Sequence, residues 1–159
     1  DINLERPRSL RKASLYSSNP SDYPKIDPNY LSNKKDLDDL VEGVKEVRKI
    51  MSDPNISKYL NGEKGHWKNI STDEEIISAI RNTAYTGHHP CSTAKMGNEN
   101  DINSVVDKDL KVFGIEGLRI CDASAMPSQI TGNLYATVLA MAEKASDIIL
   151  KKEIKKPDF

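Results

Sequence analysis

With 159 residues, 17.7 kDa, 23 basic and 24 acidic side chains, the chain has a net charge of −1, and no global field selects nucleic acid or an acidic surface as partner. Mean hydropathy is −0.59 and no apolar run approaches the ~18 residues that cross a bilayer, which excludes a membrane-spanning helix. Two cysteines, Cys91 and Cys121, make no disulfide framework and assign no redox compartment.

The chain opens Asp-Ile-Asn, without an initiator Met or a basic-then-apolar leader, so it is expected to be part of a longer polypeptide. Residues 9–16 alternate weakly between Pro7 and the Ser-Ser-Asn-Pro stretch and read as a strand ending in a turn. Residues 21–30, with two prolines and two tyrosines, read as an ordered loop. A helix is expected over 34–51, where Leu37, Leu40, Val41, Val44, Val47, Ile50 and Met51 recur at helical spacing. Ser32 or Asn33 can cap it, and Asp36 and Asp38 suit the dipole of its first turns. Residues 54–60 form a short helical piece and residues 62–68 a polar loop, in which Trp67 beside His66 is read as a packing residue. Ser71 with Glu74 reads as a capping box opening a helix that carries Ile76, Ile77 and Ile80 to about Asn82. A buried strand is expected over 118–121. After Gly132-Asn133 a long helix runs to about Lys152, with Leu134, Val138, Met141, Ala142, Ala145 and Ile148 sharing a face. Residues 153–159 are a polar tail whose lysines suit a helix carboxyl end.

Chemistry concentrates in two stretches. His89 lies in Gly87-His88-His89-Pro90-Cys91-Ser92, on irregular backbone between helices, where catalytic groups gather. Pro90 holds the preceding residue extended, which fixes the backbone that aims the ring, and imidazole suits proton transfer near neutral pH. His88, His89, Cys91 and Cys121 lack the spacing of a zinc site, so no metal is expected. Asp122-Ala123-Ser124 follows the expected strand as a sheet edge presents amides to a ligand. Asn133 sits at a helix start, where free N–H groups favour negative charge, or serves there simply as the cap.

The ordered set His89-x-x-Ser92-Thr93-x-Lys95-Met96-Gly97, Val105-Val106-Asp107, Leu110-x-Val112-x-Gly114, Gly117-Leu118-Arg119, Asp122-Ala123-Ser124-x-Met126-Pro127, Gly132-Asn133 and Met141-Ala142-Glu143-Lys144 resembles the C-terminal region of the glucose–methanol–choline (GMC) oxidoreductases. The likeness is strong over 85–150, looser over 7–51 through Tyr23-Pro24-x-Ile26-Asp27-Pro28-Asn29-Tyr30-Leu31, and insect-like in tone. It implies an α+β fragment of an α/β two-domain flavoprotein. Residues 1–84 would belong to the substrate-binding domain, and residues 85–152 would complete the Rossmann-like FAD-binding domain. It further implies FAD as cofactor, a small-molecule alcohol as substrate, His89 as catalytic base and Asn133 as the partner of the substrate oxygen. Asp122 and Ala123 would be flavin contacts at a strand end, and Asn133, Leu134 and Tyr135 would be contacts at a helix start.

No G-x-G-x-x-G occurs, so the N-terminal portion of the same protein is expected as the partner that grips the ADP half. A homo-oligomer and secretion are compatible with the resemblance, and neither is written in the residues. Ser92 stands where Gly is usual, Arg11 where a strand Gly is usual, and Tyr135 and Thr137-Val138 where Asn and Pro-Thr are common. The same scaffold also carries hydroxynitrile lyases, and a structural or storage homologue is the non-enzymatic alternative.

Overall fold

The computed structural model describes residues 2–152, so the expected tail over 153–159 lies outside the described residues. The chain divides into two compact units, Asp1–Gly87 and His88–Phe159.

The first unit is built on two helices. α1, Lys34–Met51, has the bounds expected from its apolar spacing. Asn33 caps it by accepting from the Lys35 amide (2.9 Å). α3, Asp73–Thr83, packs against α1, and Leu37, Val41, Val44, Ile76 and Ile80 form the core between them. The stripe outlasts that core, since Val47, Ile50 and Met51 are exposed. The capping box lies one residue later than the sequence suggests. Thr72 accepts from the Glu75 amide, and Glu75 accepts from the amides of Ser71 and Thr72. α2 is a single turn, Pro54–Ser57, shorter than the piece expected to reach 60. A 3-10 turn over Gly65–Asn69 replaces the expected loop and lays Trp67 on the core, with His66 tilted against the indole.

Asp36 stands in the first turn of α1, where the dipole favours a carboxylate, and it is only 1% exposed. It accepts from the amides of Arg8 and Ser9 and from the Ser9 hydroxyl, and Ser9 Oγ accepts in turn from the Asn33 amide. Burial alone would raise the Asp36 carboxyl. The Ser9 hydroxyl and the two amides outweigh it and hold the group below its ordinary value. The chain before the strands is thereby fastened to the first turn of α1.

β1, Lys12–Ser14, is shorter than the strand expected over 9–16. It pairs antiparallel with β2, Lys25–Asp27, in a stretch read as loop. Three residues between two prolines carry too little alternation to signal a strand, and the pairing partner decides the conformation. Ala13 stands opposite Ile26, with Lys12 opposite Asp27 and Ser14 opposite Lys25.

Among the described residues the long helix of the second unit is α4, Tyr135–Ile149, which stops about one turn before the expected Lys152. Its Ala145 and half-buried Met141 pack on Val106, Leu110 and Ala125, whereas Ala142, expected on that face, is exposed. No strand forms over 118–121. Isolated bridges (Met96 with Val106, Val106 with Val112, Lys111 with Arg119) take its place, and Cys121 is exposed. The run Leu118-Arg119-Ile120-Cys121 gains two backbone bonds, from the Ile120 amide to the Leu110 carbonyl and from the Val112 amide to the Leu118 carbonyl, too few to make a ladder.

Candidate active site

His89 is half-buried on the loop that opens the second unit. Two left-handed residues bracket it, His88 at φ +60° and Ser92 at φ +67°. A side chain in that region costs conformational energy and persists where surrounding contacts over-determine it. The usual Gly at position 92 is thus explained by backbone geometry, and Ser92 adopts the same turn with strain.

The contacts that enforce it are backbone bonds. The Ser92 amide donates to the Ala123 carbonyl (3.1 Å), Ala94 to Ser124 (2.9 Å) and Met96 to Ala125 (2.9 Å). The run after His89 therefore lies along the turn that contains Asp122 and Ala123. Asp122 caps that 3-10 turn, Ala123–Ala125, by accepting from the Ser124 amide at 2.7 Å. On its other side the run meets residues 105 and 106, through the Val105 amide to the Lys95 carbonyl (2.9 Å) and the Gly97 amide to the Val106 carbonyl (3.0 Å). A Cβ at Gly97 would stand 2.0 Å from Ser104 Oγ, so only hydrogen fits there.

Asn133, Leu134 and Tyr135 stand together at the start of α4. Gly132 precedes them at φ +125°, a conformation that L side chains rarely adopt. Leu134 is the N-cap residue and no side chain caps the helix, which overturns the reading of Asn133 as the cap. Asn133 is exposed, Tyr135 is 75% exposed, and the Leu134 side chain is buried, so Leu134 can offer a ligand only its backbone. No hydrogen bond joins His89 to Asn133 among the described residues. Gln129, which no sequence signal singles out, links the His89 loop to the stretch before α4: its Oε1 accepts from Cys91 Sγ at 3.8 Å.

No group of three or more His, Cys, Asp or Glu side chains converges among the described residues, and none of their helices is long and apolar enough to cross a membrane.

Comparison with known proteins gives concordant results. The GMC oxidoreductase family matches residues 7–142. Human mitochondrial choline dehydrogenase is 41% identical over 144 residues, covering 91% of this chain and 24% of that protein. The alcohol dehydrogenase [acceptor] of Pseudomonas putida is 40% identical over 146 residues, 92% of this chain and 26% of that protein. Among solved structures, an FAD-dependent oxidoreductase from Chaetomium thermophilum superposes with a TM-score of 0.86 at 32% identity, over 92% of this chain and 25% of that one. The chain spans about a quarter of the length of the curated relatives it matches. The insect-like tone and the expected secretion have no counterpart in these relatives, one of which is mitochondrial by name and another bacterial.

Proposed function

The chain belongs to the GMC oxidoreductase family, and from that membership we propose that it forms the C-terminal part of an FAD-dependent enzyme oxidising a CH–OH group. The observation that carries this reading is the bare amino end of α4. The other long helices satisfy their first-turn amides with side chains, Asn33 on α1 and Thr72 with Glu75 on α3. α4 does not, and the exposed amide of Asn133 stands beside its open N–H groups. Unsatisfied helix amides, a dipole end and a preceding Gly make a donor set that fits the carbonyl edge of a flavin.

In this reading the backbone of residues 132–135 would hold FAD together with the Asp122–Ala123 turn, which is laced to the His89 run. Bound FAD supplies the two-electron acceptor for the carbinol hydride. His89 takes the proton released from the substrate hydroxyl, so loss of proton and hydride converts the alcohol to a carbonyl compound. The Asn133 amide donates to the substrate oxygen as it gains negative charge, reinforced by the amino end of α4. Residues 1–84 contribute to the substrate-binding side and residues 85–152 to the cofactor side. Two relatives near 40% identity, named for choline and for alcohol, support the alcohol class.

The remaining walls of the cleft, including the grip on the ADP half, fall to the rest of the polypeptide. Tyr135, Leu139 and Ile149 share an exposed apolar face of α4 that suits contact with it.

The test is a visible absorption spectrum of the full polypeptide, followed by anaerobic addition of choline or benzyl alcohol. Flavin bands that bleach, and a His89→Asn variant that bleaches about 10²–10⁴-fold more slowly, are expected. A colourless protein would leave a structural homologue, and unslowed bleaching in His89→Asn would remove the base.

A further inference from the structure

We propose that Lys95 is a positioning residue for the His89 segment, acting through its ion pair with Asp101; this rests on the reading of His89 as the base. The run that follows His89 is the middle strand of the second unit's lacework, bonded on one side to residues 123–125 and on the other to 105–106. Lys95 is where that run is gripped twice. Its carbonyl accepts from the amides of Val105 (2.9 Å) and Val106 (3.4 Å), and its ammonium lies 2.9 Å from an Asp101 carboxylate oxygen.

Asp101 organises the excursion between these two grips. It accepts from the Asn103 amide at 2.9 Å and the Ser104 hydroxyl at 3.1 Å, and the Asn98 carbonyl closes the turn by accepting from the Asp101 amide at 2.9 Å. The Asn103 amide, the Lys95 ammonium and the Ser104 hydroxyl together lower the Asp101 carboxyl to about 2, so it is a carboxylate at any neutral working pH. The excursion is folded without slack, because Gly97 has no room for a Cβ against Ser104.

The Lys95–Asp101 pair thus bridges the mouth of the excursion directly beside the three bonds that register the His89 run on the Asp122–Ala125 turn. Losing the ammonium lets the mouth open, and the registry of His89 against that turn loosens. Lys95 itself transfers no proton; its effect reaches the reaction through His89.

The experiment uses the full-length flavoprotein and follows anaerobic flavin reduction by choline or benzyl alcohol across pH, in Lys95→Met, Lys95→Arg, Asp101→Asn, the Lys95→Met/Asp101→Asn pair and His89→Asn. Small misplacement of a catalytic group costs large factors in rate. On that basis, Lys95→Met is expected to lower the limiting reduction rate about tenfold at unchanged flavin content and half-saturating alcohol, and Lys95→Arg to restore it within about twofold. The double variant should be no slower than Lys95→Met, because one link is being cut twice. A Lys95→Met enzyme at the parental rate overturns the proposal, and so does a loss that only follows flavin loss and that Lys95→Arg fails to restore. His89→Asn separates the two levels. If it reduces flavin normally, the base reading fails; if it is slow while Lys95→Met is normal, the positioning role alone fails.

Discussion

The two units solve the same backbone problem in opposite ways. In the first, residues 2–87, side chains meet the demands of the helix ends: Asn33 caps α1, Thr72 and Glu75 box α3, and the buried Asp36 gathers the amides of Arg8 and Ser9. In the second, residues 88–152, the order comes from single bridges and cross-bonds among irregular segments, and α4 begins uncapped. A unit that satisfies itself internally is a scaffold. One that keeps open donors has them available for a ligand. Function belongs where the local rules are broken without an internal remedy.

The sharpest way to break this contrast is Asp36→Ala. It strips a buried acceptor from three donors and should cost the first unit about 3 kcal/mol, read by denaturant titration of Trp67 fluorescence. Trp67 is the single tryptophan and lies on that unit's core, so it reports there. A loss well under that size would mean the scaffold does not depend on its own polar anchors. Gly97→Ala comes next, since its methyl would strike Ser104. We expect about 2 kcal/mol of destabilisation, seen as faster amide hydrogen exchange over 92–106 while exchange in α1 is unchanged.

Helix caps give a finer comparison. Asn33→Ala and Thr72→Ala should each cost about 1 kcal/mol, whereas Asn133→Ala should leave thermal stability within about 0.3 kcal/mol and yet slow flavin reduction. A clear stability loss in Asn133→Ala would make that residue an ordinary structural cap. The smallest effect is acid sensitivity. Asp36, Glu75 and Asp101 have carboxyls lowered in the folded state. Such groups stabilise the fold above their unfolded values and lose that contribution as pH falls through the folded ones. For Asp101 the window runs from 3.8 down to about 2. An acid titration of Asp101→Asn should show a flatter decline of protection over 98–106 in that interval than the parent shows.

Legibility followed the same division. α1 could be read to the residue because eighteen positions carry one uninterrupted helical stripe. The capping box was misplaced by one residue because Ser71 and Thr72 are both competent caps and both Glu74 and Glu75 stand in range; only the folded turn chooses between them. β2 was invisible because Ile26 alone is apolar in it. In the second unit, residues 118–121 look like a strand from composition, but their partners are residues 110–112, six to ten positions back, which meet them through isolated bonds and one bridge rather than a ladder, and no periodicity records such contacts. Ser92 in place of a usual Gly reads from sequence as a small change, and only the fold shows that the position is left-handed. The Cys91–Gln129 contact joins residues 38 positions apart, and the double grip on Lys95 joins residues six to eleven apart, through irregular backbone that leaves no periodic trace.

The β1–β2 ribbon has a practical consequence for anyone handling the protein. Its two strands are three residues each, every residue from 15 to 30 is exposed, and Ile26 is 73% exposed opposite Ala13. Ribbons this short close weakly and reopen often. Lys12 and Lys25, one on each strand, are therefore the peptide bonds that trypsin should reach first in this segment. Because the α1–α3 core takes nothing from either strand, a cut there should leave that core folded. Limited digestion would then yield a nicked species that keeps residues 1–12 through the Arg8 and Ser9 amides held by Asp36 and loses residues 13–25 of the ribbon.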